Sequence, residues 1–140
     1  MTLAADETVR TVPINGEADL LRVRSSLRTE ATGAGLGLTA ATKLITAGSE
    51  LARNIIRYAQ HGQGLVSIER LADGDRRGVR AVFTDEGPGI ADVDRAMGDG
   101  FSPGSSLGLG LPGSRRLVDE FSISSAPGLG TTVVIAQWAR

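Results

Sequence analysis

The sequence predicts an α+β two-layer sandwich, a mixed β-sheet covered on one face by helices, and three observations carry that prediction. β-branched and apolar runs stand at both ends of the chain, at residues 8–14 and 131–138. Between them, residues 49–58 hold an apolar helical face that neither Gly nor Pro interrupts. Two further β-rich runs, 65–71 and 79–84, flank the polar turn Asp73-Gly74-Asp75-Arg76-Arg77-Gly78 and read as an antiparallel hairpin. Strands outside and helices inside the sequence give one sheet with its helices gathered on a single face. At 140 residues and 41% hydrophobic content the chain reads as one domain, 1–140, large enough for one core and too short for two.

Each element has its own signal. Thr8, Val9, Thr11, Val12 and Ile14 suit an opening strand. Asn15 is placed to cap a helix over 17–29, with Leu20, Leu21 and Leu27 inward and Arg22, Arg24 and Arg28 outward. A glycine-rich break at 32–37 separates it from the second helix, where Leu44, Ile45, Leu51, Ile55 and Ile56 recur at helical spacing and the end falls near Gln60. After the hairpin comes Asp85-Glu86-Gly87-Pro88-Gly89, then a Gly- and Ser-rich stretch at 98–110. Pro112 suits the first turn of a third helix whose inward face is Leu117, Val118 and Phe121. Strands at 121–124 and 131–138 close the chain around the turn at 126–130.

Composition narrows the function. Fifteen basic residues against sixteen acidic ones, with no basic run or aromatic ladder, give no nucleic-acid surface, so no nucleic-acid partner is expected. The absence of Cys fits a reducing compartment. No segment approaches the ~20 apolar residues of a membrane span, and residues 1–10 carry Asp6 and Glu7 instead of an apolar signal core. A cytoplasmic protein with no membrane contact is the expectation.

Nineteen glycines exceed the roughly 7% of ordinary domains and fall in clusters, where backbone must bend or approach a ligand. Gly108-Leu109-Gly110-Leu111-Pro112-Gly113 spells a dinucleotide fingerprint, but no strand precedes it and no acidic residue follows Glu120. A phosphate-binding P-loop is excluded because the single lysine, Lys43, lies between Thr42 and Leu44. On the second helix Glu50 and Asn54 stand about 40° apart around the axis. Such a pair is either a solvated polar stripe or a working couple, the carboxylate accepting a proton and the amide oxygen offering Mg²⁺ a ligand.

The order Glu-x-x-x-Asn on a helix, Asp-x-Gly-x-Gly after a strand, a loose glycine segment entering a helix, and Gly-Thr opening a last strand resembles the GHKL family of ATP-binding domains, the Bergerat fold, over residues 49–134. Within that family Glu-Leu-x-x-Asn-Ile, Gly-Leu-Gly-Leu-Pro-Gly and Arg-Leu-Val-Asp-Glu-Phe look like the serine kinases that switch bacterial stressosomes. The resemblance implies ATP and Mg²⁺ as cofactors. It implies Glu50 as the base for an acceptor hydroxyl and Asn54 as the Mg²⁺ ligand. Asp85 would accept from the adenine amine, and Gly87 and Gly89 would let backbone pass beneath the base. Gly104, Gly108, Leu109 and Gly110 would form a lid over the triphosphate, and Thr131 would set a hydroxyl near Asp85. The lid carries no cation between Arg95 and Arg115. A complete histidine kinase is not expected, since no separate dimerising helix holds the single histidine, His61.

The activity implied is ATP-dependent phosphorylation of Ser or Thr on STAS-domain proteins of the RsbS and RsbR type, with activation of an RsbU-like PP2C phosphatase by binding. The alternative is an anti-sigma factor of the RsbW or SpoIIAB kind, which shares the nucleotide site; the Leu111-Pro112-Gly113 wording favours the kinase. A pure ATPase ranks last, because no transducer domain is present to use the energy.

Overall fold

In a computed structural model the chain is described over residues 9–58, 63–87, 97 and 111–140. Five strands, β1 (Arg10–Ile14), β2 (Gly64–Asp73), β3 (Arg76–Asp85), β4 (Glu120–Ser125) and β5 (Thr131–Trp138), make one sheet in the order β1-β2-β3-β5-β4. The described helices are α1 (Asp19–Gly33), α2 (Leu38–Tyr58) and α3 (Leu111–Leu117). The α+β sandwich is therefore as the sequence predicts, with one correction. Among the described residues every neighbouring pair of strands is antiparallel, so the sheet they form is not mixed. β4 does run parallel to β3, but β5 returns between them and pairs with both, so no parallel neighbours form.

Strand periodicity decides which face is covered. Val12 and Ile14, Val66 and Ile68, Val79, Ala81 and Phe83, and Val133 and Ile135 alternate along their strands and are buried in one cluster with Leu20, Val23 and Leu27 of α1 and Leu44, Ala47, Leu51 and Ile55 of α2. The opposite parity puts Leu71, Ala136 and Trp138 into a small second cluster on the outer face. There the Arg76 guanidinium lies 4.2 Å from the Trp138 ring centroid, and the indole N–H donates to Glu120.

The helices differ from their sequence readings in informative ways. α1 begins without a side-chain cap; instead Asp19, its first residue, accepts from the amides of Asn15 (2.7 Å) and Gly16 (3.2 Å), so the carboxylate caps the incoming loop and Asn15 does not cap the helix. These amides, Asn15 first, hold the Asp19 carboxyl below its ordinary value, with Arg22 assisting against the opposing effect of burial. Leu20, Val23 and Leu27 lie inward, whereas Leu21 is turned about 100° from Leu20 and is 70% exposed. α2 runs straight through Gly48, where a Cβ would stand 2.4 Å from Leu27 Cδ1; the glycine lets α1 approach. Arg24, expected on the outer face, donates to Ser49 Oγ on α2 (3.0 Å). Phe121 belongs to β4, so the inward side of α3 is supplied by Leu111 and Ser114, with Val118 just beyond its end.

Two polar ties lock the layers. Glu30 of α1, with a side chain only 2% exposed, accepts from Arg70 Nε of β2 (2.7 Å) and Arg10 Nε of β1 (3.1 Å). Gln137 of β5, also buried, donates to the carbonyls of Ala40 in α2 and Leu117 in α3 and accepts from the Asp119 amide. Buried polar groups persist only when bonded in this way, and these bonds set where α2 and α3 sit over the sheet.

Candidate functional site

The C-terminal half of α2 and the end of β3 meet over a glycine. Gly64 opens β2 opposite Asp85. A Cβ there would lie 2.5 Å from the Thr84 carbonyl oxygen, 2.8 Å from Ile55 Cγ2 and 3.2 Å from Asp85 Cβ. Ile55 follows Asn54 directly, so the turn of α2 that carries Asn54 stands beside Asp85 because residue 64 has no side chain. No motif in the sequence marks Gly64.

On α2 the two polar residues share one side, as their spacing dictates. Asn54 Oδ1 is buried, and Glu50, one turn earlier, is about one-third exposed. Glu50 Oε1 receives Arg53 Nη1 at 3.4 Å. Among the described residues no group of three His, Asp or Glu side chains gathers as a metal cage. The donor chemistry nevertheless suits Mg²⁺, which takes one or two protein oxygens and fills its octahedron with phosphate oxygens and water; the buried amide oxygen of Asn54 is such a donor.

Asp85 ends β3 at the centre of the sheet, paired with Gly64 on one side and Thr131 on the other. Its Oδ1 accepts from the amide of Gly87 (2.7 Å), and the Thr131 amide on the facing strand also favours the ionised carboxylate. Burial pushes the Asp85 carboxyl above its ordinary range, and those two amides pull it partly back. A half-desolvated acceptor with its own backbone donors is fixed in direction, which is what recognition of one purine edge requires. Gly130, with φ of 77°, brings β5 so close that a Cβ there would lie 2.2 Å from the Asp85 carbonyl oxygen. The hydroxyl of Thr131 lies 2.8 Å from Ser125 Oγ, which donates to the Gly130 carbonyl (3.0 Å). Gly64 and Ser125 are thus parts of this end of the sheet that motif reading passed over, and the crowding around Gly64 and Gly130 is visible only in three dimensions.

Of the sequence-predicted residues, Glu50 and Asn54 stand together on α2, and Asp85, Gly87 and Thr131 stand together at the β3–β5 end. Gly89, Gly104, Gly108, Leu109 and Gly110, with Pro88 and His61, lie outside the described residues. A separate groove of about 430 Å³ runs between β1 and α1, lined by Arg10, Leu21, Arg22 and Ser25 among others, and none of the site residues lines it. No helix among the described residues is long and apolar enough to cross a membrane.

Comparison with known proteins agrees with this geometry. Residues 39–139 match the family model described as histidine kinase-, DNA gyrase B-, and HSP90-like ATPase. Over 129 residues, covering 92% of this chain and 96% of the relative, the sequence is 43% identical to serine/threonine-protein kinase RsbT of Bacillus subtilis (strain 168). It is 29% identical over 97 residues to the anti-sigma F factor of Thermoanaerobacter sp. (strain X514), covering 66% of each chain. It is 35% identical over 101 residues to the virulence sensor protein BvgS of Bordetella bronchiseptica, of which the match spans 8%. With the helix-borne Glu50 and Asn54, the strand-end Asp85 and a matched segment that contains all three, the chain belongs to the histidine kinase-, DNA gyrase B- and HSP90-like ATPase family, the GHKL family.

Proposed function

We propose that this chain is an ATP-dependent serine/threonine protein kinase that phosphorylates STAS-domain proteins of the RsbS and RsbR type and activates an RsbU-like PP2C phosphatase by binding it. The observation that carries the reading is the 43% identity to a serine/threonine-protein kinase along nearly the full length of both chains, ATP being the substrate common to the family.

The roles follow from the chemistry of the residues. Asp85 accepts a hydrogen bond from the exocyclic amine of adenine, a position where guanine carries a carbonyl, so the carboxylate selects ATP over GTP. Gly87 lets the backbone pass close to the base, and Thr131, opposite Asp85, adds a hydroxyl at the same edge. Asn54 Oδ1 would hold Mg²⁺, which when bound would supply charge neutralisation for the phosphate oxygens. Gly89, Gly104, Gly108, Leu109 and Gly110 belong to the segment assigned to cover the triphosphate. In the transfer step the acceptor Ser or Thr oxygen forms a bond to the γ-phosphorus. The bond from that phosphorus to the bridging oxygen breaks, and ADP leaves with the electron pair. The hydroxyl proton passes to Glu50.

The test is to mix the purified chain with γ-labelled Mg-ATP, candidate STAS proteins and candidate sigma factors. The kinase reading expects label on Ser or Thr of a STAS protein with the sigma factors left unbound. Stable capture of a sigma factor favours the anti-sigma reading, which the 29% identity to an anti-sigma F factor keeps as its rival. In the same assay Glu50→Ala is expected to bind ATP normally and to transfer phosphate roughly 10²- to 10⁴-fold more slowly. Transfer at the wild-type rate removes Glu50 from the mechanism.

A further inference from the structure

At 100° per residue, Asn54 lies about 40° to one side of Glu50 around α2 and Arg53 about 60° to the other. The Asn54 side faces inward, since Oδ1 is buried, and the Arg53 side is the one that carries the exposed Thr46 and Arg57 of α2. Arg53 therefore stands on the flank of Glu50 from which a protein acceptor has to arrive. It reaches back to the carboxylate, with Nη1 3.4 Å from Oε1 and both side chains about one-third exposed. Among the described residues, no other group bonds Glu50.

We propose that Arg53 is a positioning residue of the phosphotransfer: its guanidinium holds Oε1 of Glu50, fixing the carboxylate in one rotamer with Oε2 left for the acceptor hydroxyl. The inference rests on the reading of Glu50 as the base.

Two physical points favour positioning over stability. An i,i+3 pair whose side chains are each about one-third exposed adds little to the fold, so its value as a scaffold is small. A glutamate with three rotatable bonds, in contrast, spreads its carboxylate over many orientations, and a base acts only from the one that meets the proton. An ion pair at the upper end of the exposed range multiplies the population of one rotamer about fivefold. That factor appears in turnover, because nucleotide binding does not depend on where the Glu50 carboxylate points.

The experiment is a cycle of Glu50→Gln, Arg53→Met and the double variant, read by steady-state transfer to the acceptor protein, calorimetric Mg-ATP titration and thermal denaturation. Arg53→Met is expected to lower kcat about three- to tenfold, with ATP affinity within about twofold of wild type and the melting temperature moved by less than about 2 °C. Arg53→Lys, which keeps a charge at the same place, is expected to recover most of the loss. The double variant should be no slower than Glu50→Gln alone. An Arg53→Met enzyme with wild-type kcat, a loss expressed in ATP affinity, or a double variant slower again by the full Arg53 factor overturns the proposal while leaving Glu50 as base. A Glu50→Gln enzyme at the wild-type rate overturns the base itself, so the two failures are told apart.

Discussion

Replacing Gly130 by Ala tests how the end of β5 holds Asp85. Gly130 has φ of 77°, and a Cβ there would lie 2.2 Å from the Asp85 carbonyl oxygen and 3.1 Å from its carbonyl carbon and Glu86 Cα. Two costs arise. Alanine in the left-handed region loses about 1–2 kcal/mol, and a methyl forced onto backbone costs about 1–3 kcal/mol more, giving a total of roughly 2–5 kcal/mol. Gly128, two residues earlier, has φ of 78° and nothing within 4 Å of its Cβ position, so Gly128→Ala carries the conformational cost alone. The difference between the two variants isolates the contact with β3. Relief of the clash moves the Thr131 amide, which favours the ionised Asp85 carboxylate, away from it. ATP affinity should then fall roughly tenfold or more, while Gly128→Ala leaves it unchanged. Urea denaturation and Mg-ATP titration of the three proteins measure both quantities. Equal destabilisation of the two variants within about 0.5 kcal/mol, or wild-type affinity in Gly130→Ala, refutes the reasoning.

Asn54→Ala removes the oxygen proposed to hold Mg²⁺ and should weaken Mg-ATP roughly ten- to a hundredfold, measured by calorimetry with and without Mg²⁺; an equal loss without the metal speaks against Asn54 as its ligand. Asp85→Asn should alter the pH dependence of stability without nucleotide. Burial raises the Asp85 carboxyl above 3.8 in the folded state, so the fold binds that proton more tightly than the unfolded chain. Stability from this group is therefore full below 3.8 and falls as pH rises through the raised value. The amide has no proton to lose, so stability relative to wild type should climb across that window, and a pH-independent difference contradicts it. The Asp19 carboxyl, lowered by the Asn15 amide, contributes in the opposite sense at more acid pH and cancels in the comparison. Glu30→Gln should cost about 2–3 kcal/mol in denaturant. The cost is at the low end for a buried ion pair because Arg10 and Arg70 are each about half exposed and turn to water. ATP affinity should stay unchanged.

The sequence made much of the fold legible because each long element has one dominant period. β5 lies at residues 131–138, where its β-branched run predicts it, and the apolar spacing of α2 marks its buried side. What stayed hidden depends on partners distant in sequence. Leu21 looks as apolar as Leu20, and only the rotation of α1 against the sheet tells them apart. The parallel relation of β3 and β4 cannot become pairing once β5 returns between them, and strand patterning contains no such information. Asn15 has the chemistry of a cap, yet here it is a donor, its own amide and that of Gly16 being held by the carboxylate of Asp19. At the site, Glu50, Asn54 and Asp85 were legible as a motif in order. Gly64 was not, and Gly130 was legible only as the Gly of Gly-Thr, because their reason is the approach of Ile55, 9 residues before Gly64, and of the Asp85 backbone, 45 residues before Gly130. Arg53 belongs to no motif, and only its contact with Glu50 sets it apart.

Titration of the purified chain with Mg-ATP and Mg-GTP, repeated on Asp85→Asn, addresses the nucleotide site directly. The geometry expects ATP to bind far more tightly than GTP and expects the variant to lose most of that preference, since half of the acceptor has become a donor. Equal affinity of the wild-type chain for the two nucleotides, or an unchanged preference in Asp85→Asn, would contradict an adenine site anchored at the end of β3.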